Sequence, residues 1–320
     1  NQLGFGTEGI YGTPTYVSST YIFLFILFGS FLEQAGMIRL FTDFALGTVG
    51  HTKGGPAKVA VISSGLMGTI NGSGVANVVT TGQFTIPLMK KFGYRPAFAG
   101  GVEATASMGG QIMPPVMGAV AFIMAETINV PYVEICKAAA IPAILYFITA
   151  FWMVHLEAGR ANLIGLPKDQ CPNPWTAIRE QWYLLLPLIG LVYLLFAGYT
   201  PLFSGMVGLA LTCVLIFGVN VSRSIKAMAI RLLFWVVLGV ACSAFFKFGI
   251  GAVMAVICLL ILVNFRLQGG PATLKLALSA LADGAKHALP VGVACALVGV
   301  IIGVITLTGI ATTFAGFVID

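Results

Sequence analysis

The sequence predicts an all-α integral membrane fold. Only 9% of its 320 residues are charged, whereas apolar residues make up 58%, and the mean hydropathy is +0.97. An ordinary soluble domain carries about 25% charged residues, and no water-soluble fold hides so much apolar surface. The 39 glycines and 15 prolines within this apolar sequence indicate membrane helices that are interrupted. The composition therefore excludes a soluble enzyme and a disordered chain.

Seven apolar stretches are candidate membrane-spanning helices, for which about 17–25 mostly apolar residues are typical. They cover residues 16–32, 137–154, 182–198, 202–219, 232–246, 250–264 and 288–307. Two further stretches, 35–49 and 271–287, mix charged and apolar residues at helical spacing. That mixture is typical of helices that lie along the membrane surface.

The stretch between Lys58 and Lys90 contains no charged residue, and it is too long for one crossing and too short for two. The segment from Asn71 to Gly74 in its middle reads Asn-Gly-Ser-Gly, which would break a helix. Because lysines flank both ends, we expect both ends on the same face of the membrane. A re-entrant helical hairpin, which enters the bilayer part-way and returns, satisfies the length, the break and the charge together.

A second interruption lies in the apolar stretch 96–126, at Gly109 to Pro115. Pro114 and Pro115 remove two backbone donors, so the helix has to open there. The sequence therefore predicts a discontinuous helix directly after the hairpin.

The distribution of basic residues fits a hairpin that opens to the cytoplasm, since the connections on the opposite side, around 129–131 and 199–201, contain neither lysine nor arginine.

Two apolar crossings that run in opposite directions are each followed by a similar pattern. Its positions are Gly36, Met37, Phe41 and Phe44 in the first copy and Gly309, Ile310, Phe314 and Phe317 in the second. Inverted repeats with interrupted helices are typical of secondary transporters.

The hairpin break places the start of a helix, with its free backbone N–H groups, inside the membrane region. A helix start of this kind attracts a carboxylate, and unwound carbonyl groups attract a cation. Ser73 and Asn77 add a hydroxyl and an amide, and Gln111 adds an amide at the second break. The alternative is that the glycines only let helices pack closely. Two breaks close together in sequence favour a binding site.

Glu103 lies in the apolar run before the second break, where an ionised carboxylate is costly and usually functional. It is a candidate proton carrier, and the alternative is a structural partner for an asparagine, a serine or a lysine. Motifs for nucleotide hydrolysis and for intramembrane proteolysis are absent from the sequence. We therefore expect neither an enzyme nor a bound cofactor.

Four segments resemble the large membrane subunit of tripartite ATP-independent periplasmic (TRAP) transporters. They are Gly-Gly-Pro at 54–56, Met-Gly-Thr-Ile-Asn-Gly-Ser-Gly-Val-Ala-Asn at 67–77, Pro-Leu-Met-Lys-Lys-Phe-Gly-Tyr at 87–94 and Gly-Gly-Gln-Ile-Met-Pro-Pro at 109–115. Residues 103–111 are most similar to the TAXI branch, in which the small and large membrane subunits are often fused. The resemblance implies an elevator mechanism, in which a transport domain with two hairpins slides against a scaffold under a gradient of Na+ or H+.

This resemblance also implies the site residues and the partners. Substrate binding is expected from Asn71, Gly72, Ser73, Gly74, Asn77 and Gln111. Ion binding is expected from Ser73, Gly109, Gly110 and Pro114, with Na+ as a candidate at Ser73, Gly109 and Pro114. Glu103, singled out above by its position in an apolar run and not by the resemblance, leaves proton coupling as the alternative. The expected partners are a periplasmic TAXI-type substrate-binding protein and a small four-helix membrane subunit. The expected location is the bacterial inner membrane, as a multi-pass protein.

We expect four regions along the chain. Residues 1–53 form the first scaffold helix and an interfacial arm helix, 54–131 the transport-domain hairpin and broken helix, 132–287 the scaffold and connecting helices, and 288–320 the start of the second repeat. A second hairpin is expected beyond Asp320, so we expect the chain to be a fragment that lacks it. The expected function is gradient-driven uptake of a small organic acid. The alternatives are a channel-like pore and a non-transporting membrane scaffold.

Overall fold

The computed structural model describes residues 2–225, 227–243, 249–267 and 269–310, and the regular elements within these residues are all helical. The N-terminal part contains α1 (Gln2–Phe5), α2 (Thr13–Val17), α3 (Phe23–Leu32) and α4 (Ile38–Val49). The π-helical segments Ser18–Ile22 and Glu33–Met37 join α2 to α3 and α3 to α4. Gly36, with φ 110°, makes the kink before α4, because glycine adopts positive φ without steric cost.

The predicted break of the hairpin is confirmed. Two helices that pack against each other, α5 (Gly55–Asn71) and α6 (Gly74–Lys91), are joined by a turn at Gly72 and Ser73. The predicted discontinuity of the following helix is confirmed as well, since α7 (Pro96–Gly109) ends in the 3-10 turn Gly110–Ile112 and the chain becomes helical again only at α8 (Ala119–Thr127). The depth of the hairpin in a bilayer stays a prediction.

The remaining helices form the rest of the bundle. They are α9 (Tyr132–Arg160), α10 (Pro174–Gln181), α11 (Leu185–Phe196), α12 (Pro201–Ser224), α13 (Met228–Ser243), α14 (Ile250–Arg266) and α15 (Gly270–Thr308). Short 3-10 turns at Lys168–Gln170 and Trp182–Leu184 precede α10 and α11.

Five helical segments among the described residues are long and apolar enough to cross a membrane. They are Thr13–Val49, Tyr132–Arg160, Lys168–Phe196, Pro201–Ser224 and Gly270–Thr308, and each overlaps one predicted crossing. The predicted crossings at 232–246 and 250–264 correspond to shorter apolar helices, Met228–Cys242 and Gly251–Arg266. Residues 244–246 of the first of these lie outside the described residues. The predicted membrane class is therefore confirmed.

One sequence prediction is wrong. The stretches 271–287 and 288–307, predicted as an interfacial helix and a separate crossing, form the single 39-residue helix α15. The prediction separated them by their charge, but Lys275, Asp283 and Lys286 change the polarity of a helix without interrupting its backbone hydrogen bonds. Pro290, the one proline after the first turn, is accommodated inside the helix. The helix therefore runs across the boundary expected at residue 287.

The proposed inverted repeat is described only in part. Both matched glycines have positive φ, 110° at Gly36 and 68° at Gly309, and each follows an apolar helical segment. Phe314 and Phe317 of the second copy lie outside the described residues. The repeat therefore stays a prediction.

The hairpin packs between the first helical segment and the helices that follow it. A core of aromatic and aliphatic side chains joins α3, α5, α8 and α9, and within it the rings of Phe122 and Tyr132 stack with their centroids 4.2 Å apart. A second core holds α12 to α15 together. A third joins α5, α7 and α9. These contacts fix the position of the hairpin relative to the opened helix.

The backbones of the hairpin and the opened helix contact each other directly at Gly68 and Gly110. A Cβ atom on Gly68 would lie 2.3 Å from the Gly110 Cα atom, and a Cβ atom on Gly110 would lie 2.9 Å from the Gly68 Cα atom. Because the obstructing atoms belong to the backbone, no rotation of a side chain relieves the clash. Glycine at both positions is therefore required for this packing.

We expect Gly68→Ala to lower stability by about 1–3 kcal/mol, as overpacking does in a close-packed interior. The matched control is Gly100→Ala on α7, where an added Cβ atom would have no neighbour within 4 Å and the helix gains about 0.5–1 kcal/mol from the loss of glycine. Thermal unfolding in detergent measures both variants. Equal melting temperatures for the two variants would contradict the close approach.

Candidate functional site

The polar groups of the hairpin tip shape the turn between α5 and α6. Gly72 adopts φ 57° at the end of α5. Asn71 Oδ1 accepts a hydrogen bond from the Ser73 backbone N–H at 3.3 Å, and Ser73 Oγ accepts one from the Ala76 N–H at 3.3 Å. Ser73 is therefore the N-cap of α6. Its side chain takes one of the free N–H groups that the sequence had suggested for a ligand.

The tip lies directly against the opened helix. A Cβ atom on Gly72 would lie 2.5 Å from the Met117 carbonyl oxygen. A Cβ atom on Gly74 would lie 2.4 Å from Met108 Sδ and 3.0 Å from Gln111 Nε2. The structure thus brings together Gly72, Gly74 and Gln111, which the sequence analysis had placed in one binding site.

Polar groups of the opened segment find partners within the protein. The Gly118 N–H donates to the Gln111 carbonyl at 2.8 Å, and the Tyr132 hydroxyl of α9 donates to the Pro115 carbonyl at 2.8 Å. These bonds matter because a backbone group in the membrane region has no water to replace them. Pro114, a predicted ion ligand, lies half-buried in this segment.

Asn77 is placed away from the tip surface. Its side chain is fully buried, and its Nδ2 atom donates to the Ser64 carbonyl of α5 at 2.8 Å. The amide therefore joins α5 to α6. Gly109 likewise faces the protein, since an added Cβ atom would lie 2.4 Å from the ring of Tyr146 on α9. A Cβ atom on Gly110 would lie 3.3 Å from the Asn77 amide nitrogen.

Glu103 is fully buried and accepts hydrogen bonds from four hydroxyl groups. The donors lie on α5, α6 and α7, and they are Ser64 at 3.0 Å, Ser107 at 2.9 Å, Thr81 and Thr85. Gly82 provides the space, because an added Cβ atom there would lie 3.2 Å from Glu103 Cγ. Among the described residues, no lysine or arginine is within salt-bridge distance of this carboxylate. We name Glu103 and these four residues the hydroxyl cluster.

The sequence analysis singled out Glu103 but missed its four hydroxyl donors. Serine was among the structural partners it had considered, and lysine is not one of those found. The available signal was spacing, because Thr81 and Thr85, like Glu103 and Ser107, are four residues apart and share a helix face.

A second buried carboxylate was missed altogether. Glu33, at the start of the π-helical segment after α3, is 8% exposed, and its Oε1 atom accepts a hydrogen bond from Asn71 Nδ2 at 2.9 Å. It directly follows the predicted crossing 16–32, and the sequence analysis did not single it out. The hairpin tip is therefore attached to the first helical segment through one of its predicted substrate ligands.

The described residues contain no group of three or more His, Cys, Asp or Glu side chains arranged to hold a metal ion. All six cysteines are free thiols. A Na+ site at Ser73, Gly109 and Pro114 would use hydroxyl and carbonyl oxygens, and it stays a prediction.

The chain is similar in sequence to several large permease proteins of TRAP transporters. The C4-dicarboxylate TRAP transporter large permease protein DctM of Pseudomonas aeruginosa is 29% identical over 194 residues, which cover 60% of this chain and 45% of that protein. The sialic acid TRAP transporter large permease protein SiaM of Vibrio cholerae is 27% identical over 178 residues, covering 55% and 41%. The 2,3-diketo-L-gulonate TRAP transporter large permease protein YiaN of Escherichia coli is 25% identical over 166 residues, covering 52% and 39%.

The chain thus spans less than half the length of each of these curated relatives. The family profile described as "Tripartite ATP-independent periplasmic transporter, DctM component" matches residues 10–231. Because this match covers more than half of the chain, and because the hairpin and the broken helix lie within it, the chain belongs to the DctM family of large TRAP transporter permeases.

Proposed function

We propose that the protein takes up a small organic acid across the bacterial inner membrane, as the large membrane subunit of an ion-gradient-driven secondary transporter. The observation that carries this proposal is the hairpin tip, which lies against the opened helix at Gly72 and Gly74. Interrupted helices of this kind form substrate and ion sites in secondary transporters because their half-helix ends present unpaired backbone groups.

The names of the relatives support a carboxylate substrate. They specify C4-dicarboxylate, sialic acid and 2,3-diketo-L-gulonate. In this chain the tip offers amide groups and a helix start, both of which favour anions. Of the ligands expected from the sequence, we propose Asn71, Gly72, Ser73, Gly74 and Gln111. Asn77 was also expected, but its side chain is fully buried and its Nδ2 atom donates to the Ser64 carbonyl.

The partners are proposed from the same relationship. A periplasmic substrate-binding protein of the TAXI type would deliver the substrate, and a small four-helix membrane subunit, fused in the complete protein, would complete the scaffold. The hairpin and the broken helix would then move as one body against that scaffold, as in an elevator. The continuous packing of α5, α6 and α7 supports this, since the hydroxyl cluster joins all three helices.

We propose H+ as the coupling ion and Glu103 as its carrier. Three hydroxyl oxygens of the hydroxyl cluster surround Glu103 Oε1, so their common centre is already occupied by a carboxylate oxygen. A dehydrated cation needs oxygen ligands around an empty centre, whereas a proton needs only an oxygen atom to bind. The geometry therefore favours a proton over Na+ at this position.

The threonines of the hydroxyl cluster have a second acceptor each. Thr81 Oγ1 is 2.7 Å from the Asn77 carbonyl oxygen, and Thr85 Oγ1 is 3.1 Å from the Thr81 carbonyl oxygen. A hydroxyl has one hydrogen and two lone pairs. Each threonine can therefore donate to an ionised Glu103, or donate to the backbone and accept from a protonated Glu103. The hydroxyl cluster can therefore form hydrogen bonds with Glu103 in its ionised and in its protonated state, without the movement of a heavy atom.

The complete transporter in lipid vesicles, supplied with its binding protein, should accumulate a labelled carboxylate when a gradient is imposed. We expect an inward pH gradient to drive accumulation and Glu103→Gln to abolish it, because glutamine cannot carry a proton. The matched control is Glu126→Gln, an exposed glutamate of α8, which should retain wild-type accumulation.

Each other outcome contradicts part of the proposal. Accumulation that follows only a Na+ gradient would remove Glu103 as the carrier and return the coupling to Ser73, Gly109 and Pro114. Conductance without accumulation would indicate a channel-like pore. No dependence on any gradient would exclude secondary transport.

We expect Thr85→Val to lower the rate of pH-driven uptake by about ten- to 150-fold, the equivalent of about 1.5–3 kcal/mol for one lost hydrogen bond to a charged group. Thr85→Ser keeps a hydroxyl and should retain most of the rate. Thr149→Val removes a hydroxyl from the exposed face of α9 and is the matched control. Equal rates for Thr85→Val and Thr149→Val would exclude a role for the Thr85 hydroxyl in uptake.

A further inference from the structure

The carboxylate of Glu33 is bound by the hairpin tip. Asn71, the last residue of α5, donates from Nδ2 to Glu33 Oε1 at 2.9 Å, and both side chains are at least nine-tenths buried. The same amide accepts the Ser73 N–H through its oxygen. Asn71 therefore uses its carbonyl end to shape the tip and its N–H₂ end to hold a carboxylate.

The face of α3 that continues into Glu33 is shaped to receive the tip. Gly29 lies one helical turn before Glu33, so both residues are on the same face. A Cβ atom on Gly29 would lie 3.1 Å from the Ile70 carbonyl oxygen and 3.2 Å from Asn71 Cα. The end of α5 thus rests on the backbone of α3, and this close contact brings the Asn71 amide to the carboxylate.

The charged groups around Glu33 have other partners. On α15, Asp283 accepts from Gln34 Nε2 at 2.8 Å and lies 3.9 Å from Lys286 Nζ. On α4, Arg39 pairs with Asp43 at 3.5 Å. In the described part of the chain, no cation lies within salt-bridge distance of Glu33. The Asn71 amide is thus the group that stabilises this carboxylate.

We propose that Glu33 occupies the place of a substrate carboxylate at the Asn71 amide, so that Glu33 and the substrate compete for the hairpin tip. The inference rests on the proposed function, in which Asn71 is a substrate ligand. While the site is empty, Glu33 keeps the tip on α3. When a substrate carboxylate takes the Asn71 N–H₂ group, Glu33 is displaced and the tip is released from α3.

The first test is the affinity of the complete transporter for succinate and for sialic acid, the ligand classes named for two relatives. Glu33→Gln keeps the side-chain length and an acceptor oxygen but removes the charge. Because charge-assisted hydrogen bonds are about twice as strong as neutral ones, a weaker competitor should lower the Kd by about three- to tenfold. Glu126→Gln, the exposed control, should leave the Kd unchanged.

The competition has to act through Asn71. In an Asn71→Ala background, Glu33→Gln should therefore change the Kd by less than about twofold, because neither carboxylate then has the amide to bind. An equal gain in both backgrounds would indicate simple repulsion between Glu33 and the substrate, and would overturn the proposal. An unchanged or raised Kd for Glu33→Gln alone would also overturn the proposal. The same holds if both the wild type and Glu33→Gln fail to bind either succinate or sialic acid.

The double variant Glu33→Gln/Asn71→Asp, called the reversed pair, distinguishes docking of the tip from binding of the substrate. Asn71→Asp places two carboxylates together and should lower the melting temperature. Adding Glu33→Gln restores a hydrogen bond with the donor and acceptor exchanged, so the melting temperature should recover. Substrate binding should stay lost, because an aspartate at position 71 repels a carboxylate. Recovery of both properties would show that Glu33 only positions the tip.

The failures of this inference and of the proposed function are distinguishable. If Asn71→Ala weakens binding and Glu33→Gln has no effect, only the competition fails. If Asn71→Ala leaves binding unchanged, Asn71 is not a substrate ligand and the proposed substrate site fails with it. The recovery of thermal stability by the reversed pair reports the contact between residues 33 and 71 itself, whatever the outcome of the binding measurements.

Discussion

Direct backbone contact between the hairpin and the opened helix determines how the hairpin tip lies relative to the opened segment. Gly68 meets Gly110, and Gly72 meets the carbonyl of Met117, at distances that no side chain would allow. At the membrane depth that the sequence predicts, the opened backbone would need partners inside the protein, and Tyr132 provides one at Pro115. The contact brings both interruptions to one place, so that Gly72 and Gly74 of the tip lie beside the opened segment that contains Gln111.

The two buried carboxylates, Glu103 and Glu33, differ in the number and the position of their hydrogen-bond donors. Glu103 accepts from four hydroxyl groups, which belong to helices that would move together. Glu33 accepts from one amide across the boundary between the first helical segment and the hairpin. Glu103 lies within the group of helices that would move, so it could carry a proton with them. The hydrogen bond of Glu33 forms only while the hairpin tip is docked on the first helical segment. The different environments therefore suit different roles.

The two interruptions could be predicted because local features cause them. The Gly-Ser tract at the tip and the proline pair at 114 and 115 disfavour helix wherever they occur, and the structure breaks both helices there. The donors to Glu103 from α5 and α6 could not be predicted, since they depend on how α5, α6 and α7 are rotated against one another, whereas Ser107 follows Glu103 by one turn of the same helix. The continuity of α15 was missed because charge was used as a boundary signal, although charge does not end a helix.

The continuity of α15 has a mechanical consequence. Asp283, which binds Gln34 beside Glu33, belongs to the same uninterrupted rod as the apolar segment that follows it. One residue added between these two regions would turn Asp283 by about 100° around the helix axis, with no flexible linker to absorb the change. The orientation of Asp283 beside the hairpin tip therefore depends on how the apolar part of α15, several turns away, packs against its neighbours.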